Sequence, residues 1–138
     1  MNRIDLQKIS RLRVKEARAL LQAGYFQGAY YLLGYSLECA IKACIAKQVA
    51  KHDFPVLQTV KDSHIHDLAK LLRTAGLYDK LVNDGKTAPA LSVNWAIAKD
   101  WSSSVRYQDD KTPQAVKDFF SACTSPKHGI LNWLKKSW

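Results

Sequence analysis

Cysteine is scarce in this sequence, and the three present, Cys39, Cys44 and Cys123, make an odd number with no C-x-x-C spacing. That pattern excludes a disulfide framework and a zinc ribbon, and it points to buried, reduced thiols. Acidic residues are also in short supply: 12 Asp and Glu stand against 21 Lys and Arg, a formal charge of +9. Such an excess favours an anionic partner, either nucleic acid or an acidic protein, or is simply a basic surface that keeps the chain soluble. No Gly-rich phosphate loop, Ser-His-Asp order or Cys-His pair is present, so nucleotide cradles of that type and nucleophilic hydrolysis have no motif to rest on.

Long hydrophobic runs are missing too. Nothing between Arg18 and Glu38 carries a formal charge, but Gln22, Gln27, Ser36 and three glycines interrupt the stretch. A spanning helix needs about 20 predominantly apolar residues in one element, so no membrane association is expected. Met1 to Glu16 alternates charges with single aliphatics and has no apolar core of a secretory signal. The expectation is a cytoplasmic protein with one domain over residues 1–138.

Helical periodicity is what the sequence has in abundance. Leu6, Ile9, Leu12, Leu20 and Leu21 predict an amphipathic helix up to Gly24, and a longer helix is predicted from about Phe26 to about Lys51, stopped by His52, Asp53 and Pro55. Phe54 to Asp62 reads as a loop, with Ser63 capping a third helix that closes at Gly76. Asn83, Asp84 and Gly85 break the stretch from Leu77 to Ala88. Pro89 opens a fourth helix through Trp101, and Thr112 with Pro113 opens a fifth, while Ser125 and Pro126 precede a separate short helix or a kinked continuation. The fold class expected is all-α, an up-and-down bundle of about five helices.

The long helix has one narrow polar strip. At about 100° per residue, Gln27, Gly34, Glu38 and Lys42 share it and Tyr31 and Tyr35 border it. A helix apolar in nearly every other direction is buried on more than one side, as the centre of the bundle, against a second subunit, or both. Glu38 and Lys42 form either a helical ion pair of structural value or part of a cleft.

The order AGYFQGAYYLLGYSLECAIKA, then HDLAKLLRTAG, then a Trp-rich helix ending in WSSSVRY, then KHGILNWLKKSW, resembles the HEPN domain family (higher eukaryote and prokaryote nucleotide-binding) over about Leu12 to Trp138. The resemblance implies an α-helical bundle that dimerises, often beside a nucleotidyltransferase partner in toxin-antitoxin or defence systems. Many members are metal-independent ribonucleases in which an Arg is followed four to six residues later by His. Here Arg106 and Tyr107 occupy the Arg position, but positions 110 to 112 are Asp110, Lys111 and Thr112, and no arginine has a His at that spacing. Arg106 therefore carries over as a phosphate-binding residue while a catalytic His does not, which points to a non-catalytic module.

Candidate RNA- or nucleotide-binding residues are thus Arg106, Tyr107, Tyr35, Glu38, Lys42 and Trp101, with no cofactor and no metal expected. Trp95, Trp101, Tyr107, Trp133 and Trp138 alternate with Lys99, Arg106, Lys135 and Lys136, a mixture suited to stacking single-stranded bases, or else the tryptophans fill the core. Asp62, His64, His66 and Asp67 lie close enough to suggest a metal, but His66 and Asp67 also suit a helix start. Two alternatives stay open: a ribonuclease toxin whose acid-base group is His64, His66 or His128 brought near Arg106 by folding, and a protein-interaction module that binds an acidic partner.

Overall fold

The computed structural model describes residues 1–51 and 57–138, and among them every regular element is helical. The described residues form eight α-helices: α1 (Arg3–Ala23), α2 (Phe26–Lys51), α3 (Leu57–Ser63), α4 (Leu68–Thr74), α5 (Tyr78–Thr87), α6 (Pro89–Ala98), α7 (Pro113–Thr124) and α8 (Ile130–Lys135). A single 3-10 turn, Ser103–Tyr107, lies between α6 and α7. The all-α bundle expected from periodicity is present, built from more and shorter pieces than five.

Start and stop chemistry accounts for the boundaries that were legible. Asn2 and Asp5 form a reciprocal capping box on α1, with the Asp5 amide donating to Asn2 Oδ1 at 2.9 Å and the Asn2 amide donating to Asp5 Oδ2 at 3.1 Å. Gly24 ends α1 at φ +85°, a left-handed conformation that favours glycine. Thr112 accepts from the Ala115 amide at 3.1 Å, with Pro113 in the first turn of α7.

Other boundaries correct the sequence reading. Residues 57–63 are helix α3 rather than loop, and Ser63 ends that helix by donating to the Val60 carbonyl at 2.8 Å. The cap of α4 is Asp67, whose carboxylate accepts from the Lys70 amide at 2.9 Å. The expected stop at His52, Asp53 and Pro55, and the start of the loop at Phe54, lie outside the described residues. Asn83, Asp84 and Gly85 sit inside α5, where packing outweighs their poor helix propensity: Gly85 is buried against α6, and a Cβ there would come 2.0 Å from Ser92 Oγ. α6 stops at Ala98, leaving Trp101 in the segment that follows, and α8 is a helix separate from α7.

α2 is the centre of the bundle. α1 runs along most of it, and α4, α7, α8 and the Ser103–Tyr107 turn pack on its other sides. Leu33, Leu37, Ala40, Ile41 and Cys44 are fully enclosed, which answers why the helix is apolar almost all round. The two fully buried residues of α1 are small, Ser10 and Ala17, while Val14, Leu20 and Leu21 pack on the core partly buried; Leu12 is 47% exposed. Ser10 Oγ donates to the Ser36 carbonyl at 2.8 Å and Ser36 Oγ donates to the Ser10 carbonyl at 2.9 Å. Close approach of the two backbones is what makes this exchange geometrically possible.

The tryptophans divide between core and rim. Trp101 is 1% exposed, lies on Gly34 where a Cβ would sit 1.8 Å from its ring, and donates from Nε1 to the Tyr30 carbonyl at 3.1 Å. Trp133 is buried and donates from Nε1 to Asp84 Oδ2 at 2.8 Å. Trp95 and Trp138 are half-buried. No described helix is long and apolar enough to cross a membrane.

A candidate site around buried Glu38

Glu38 is the one carboxylate in the buried core, 4% exposed among the described residues. Burying a charge without partners would be severely unfavourable, so its neighbours must supply donors. Two side chains do so. Lys42 Nζ, one helical turn on, donates to Oε1 at 2.8 Å, and His66 Nδ1, from the segment just before α4, lies 2.9 and 3.0 Å from the two carboxylate oxygens. A carboxylate only accepts, so this contact fixes the ring proton on Nδ1 and leaves Nε2 at the surface with no protein partner among the described residues.

The sequence places Glu38 and Lys42 together through helix geometry, while His66 arrives from 28 positions away because Asp67 caps α4 and sets the direction of the chain just before it. His66 is therefore not a capping residue. It is half exposed, so the pair forms a bridge from the core to solvent.

An aromatic wall continues from this pair. The Tyr35 ring meets His66 edge-on at 6.4 Å, Trp101 at 5.1 Å and Tyr31 at 5.0 Å. Burial, then the hydrogen bond with Tyr31, pushes the Tyr35 phenol up to about 12, while the nearby charge of Arg106 acts in the opposite sense. Tyr35 thus stays a neutral donor at physiological pH.

The Ser103–Tyr107 turn brings the last members. Val105 is buried and anchors the turn, whereas Arg106 and Tyr107 face solvent, the latter 81% exposed. The Arg106 guanidinium lies 4.8 Å from the Tyr107 ring centroid. The Tyr107 side chain, and after it the Tyr31 hydroxyl, strengthens Arg106 as a cation by raising its pKa further. No described carboxylate pairs with Arg106, so its charge is available to a ligand.

Of the residues singled out from the sequence, Tyr35, Glu38, Lys42, Arg106 and Tyr107 come together, joined by His66. Tyr31, which only bordered the polar strip in the sequence, links the two halves. Trp101 belongs to the site as its floor: it is buried against Gly34 and Tyr35, so it does not offer a surface to a base. His64 is exposed in the turn after α3 and makes no side-chain contact with Glu38. His128 lies elsewhere, before α8, where its carbonyl accepts from Asn94 Nδ2 at 2.9 Å. Among the described residues no group of three or more His, Cys, Asp or Glu side chains is arranged to hold a metal. The signal that could have found His66 is the buried charge itself, since one lysine leaves a second carboxylate oxygen to be satisfied.

Chemically, the arrangement offers a fixed cation and an exposed ring at one end and an imidazole held by a carboxylate at the other, with a neutral phenol between. No protein-family model, curated protein or solved structure matches the chain.

Proposed function

We propose that the chain is a HEPN-like module that binds single-stranded RNA, or a nucleotide, at the Glu38 site. The observation that carries this reading is the exposed Arg106 and Tyr107 pair abutting the Tyr31, Tyr35 and His66 cluster. A guanidinium without a carboxylate partner suits a phosphate, and an uncovered ring suits a base. The net charge of +9 supports an anionic ligand in general. In keeping with the family resemblance, the module acts in the cytoplasm as a homodimer beside a nucleotidyltransferase partner, in a toxin-antitoxin or defence pair.

The test is binding of a labelled single-stranded RNA across a salt series. Arg106→Ala and Tyr107→Ala should each weaken binding, and affinity should fall steeply with salt. Salt-insensitive binding to an acidic protein, with no RNA affinity, would replace this reading by a protein-interaction module.

A second reading has its own observation, the His66 and Glu38 contact. A carboxylate-held imidazole within one aromatic residue of an Arg-bearing turn is suited to acid-base transfer at the RNA 2′-hydroxyl. RNA degradation by purified protein, lost in both His66→Ala and Arg106→Ala, would establish it; intact RNA under varied conditions would exclude it.

A further inference from the structure

We propose that a second ligand site lies in the groove between α1 and α8, and that it takes the phosphodiester backbone of single-stranded RNA. The inference shares the RNA ligand of the proposed function but none of its residues. A cavity of about 260 Å³ opens there, with Arg11, Lys15 and Arg18 from α1 and Lys135 from α8 around a floor that includes Val14 and Leu131. No acidic side chain lines it.

The three cations of α1 recur at i, i+4 and i+7, so they form one stripe along about 10 Å of helix. None of the four belongs to an ion pair among the described residues; those pairs are Arg13 with Glu16 and Glu38 with Lys42 and His66. Concentrating unpaired cations opposes folding through self-repulsion, and a bound polyanion relieves it. The cationic heads are also partly ordered in advance. Arg11 lies 4.8 Å and Lys135 5.7 Å from the Trp138 ring centroid, and Arg18 lies 5.5 Å from that of Phe120. Gln7 Nε2 donates to the Trp138 carbonyl at 3.3 Å, tying the end of the chain to α1. Rings beneath the guanidinium groups reduce the ordering cost on binding and leave the donor edges for phosphate oxygens.

Shape favours nucleic acid over an acidic peptide. The cavity is smaller than the roughly 300 to 1,000 Å³ of a pocket that encloses a whole ligand, and the cations stand in a row rather than converging on one point. A backbone with a charge at each regular step matches a row. Lys135 and Trp138 thus pair with Arg11, and Arg106 pairs with Tyr107, although the sequence interleaves the two groups.

The test is fluorescence anisotropy with a labelled oligouridylate, comparing the parent chain, the triple variant Arg11→Gln, Arg18→Gln, Lys135→Gln, and Arg106→Ala, each checked for parental circular dichroism. The triple variant should bind about tenfold more weakly at low salt, with a log-log salt slope shallower by about 2, since each phosphate contact to a single strand contributes roughly 0.7. Ultraviolet crosslinking of the parent chain, which does not depend on any variant folding, should put RNA adducts on peptides from α1 and α8. Unchanged affinity in the triple variant, or adducts confined to the Ser103–Tyr107 region, would overturn the second site while leaving the first intact. Loss in the triple variant with none in Arg106→Ala would support the groove and refute the Glu38 site. Polyglutamate bound as tightly as the oligouridylate would overturn the RNA assignment.

Discussion

Glu38 and His66 stand 28 residues apart in the chain and 2.9 Å apart in space, the carboxylate 5% and the imidazole 51% exposed. Glu38 is the part of this pair the fold depends on, because its removal leaves the Lys42 ammonium at the edge of an apolar core without its counter-charge and His66 without its acceptor. Glu38→Ala should therefore destabilise the protein by about 3 to 5 kcal/mol, and His66→Ala by much less, since half of the ring is already in water. Thermal unfolding would show this as a large fall in Tm for the first variant and a small one for the second. Equal effects would mean that the histidine, not the lysine, compensates the buried charge.

Gly34 and Trp101 make a second dependence. Any Cβ at position 34 collides with the indole at 1.8 Å, and the ring is held by its hydrogen bond to Tyr30. Gly34→Ala should cost roughly 1 to 3 kcal/mol or more from overpacking and should displace the Trp101 ring. Near-ultraviolet circular dichroism should change with the loss of stability, and Tyr35, which packs on the same ring, should lose its order. A variant with parental Tm and an unchanged aromatic spectrum would contradict the contact.

How much of this was legible in the sequence depends on the range of the interaction. The Gly24 end of α1, the start of α2, Pro89, and Thr112 with Pro113 were readable because caps and fixed φ values act within three or four residues, whereas the Asn2 cap of α1 was not read. Helix α5 was not, because Gly85 and Asp84 look like breakers until Ser92 and Trp133 are beside them. Glu38 and Lys42 were visible as a strip on one helix. His66 was visible only as a residue of the right chemistry, since which turn of α2 it would meet is set by the packing of α4. Trp101 carried the opposite lesson: an aromatic in a basic stretch resembled a stacking platform, and a glycine on the facing helix made it core.

Alkaline pH should weaken the fold. Burial pushes the Cys44 thiol up to about 12 from 9.0 and raises Cys123 as well, and Tyr35 is raised from 10.0 to about 12. For each of these acids the folded form holds its proton more tightly than the unfolded form. Their contribution is therefore complete below about pH 9 and is lost as pH rises toward 12. In reducing buffer, Tm should be flat near neutrality and fall between pH 9 and pH 11. Constant Tm over that interval would show that the thiols reach solvent in the folded protein.

Arg106→Ala should leave stability unchanged, because the guanidinium is exposed and has no carboxylate partner. Its effect should appear only in ligand binding, as a loss of about tenfold or less and a reduction in salt slope of about 0.7 for a single-strand phosphate. Calorimetry with a nucleotide, run beside thermal unfolding, separates the two. A drop in Tm would assign the residue to holding the turn instead.

The exchange of hydroxyl bonds between Ser10 and Ser36 fixes how far along its neighbour α1 sits. Sliding α1 by a single turn, about 5.4 Å, would break both bonds and part the two hydroxyls, which meet at 3.1 Å. The same bolt therefore holds Arg11, one residue beyond it, at a constant height against α8. A pair of serines in the interior thus sets the spacing of charges on the outside.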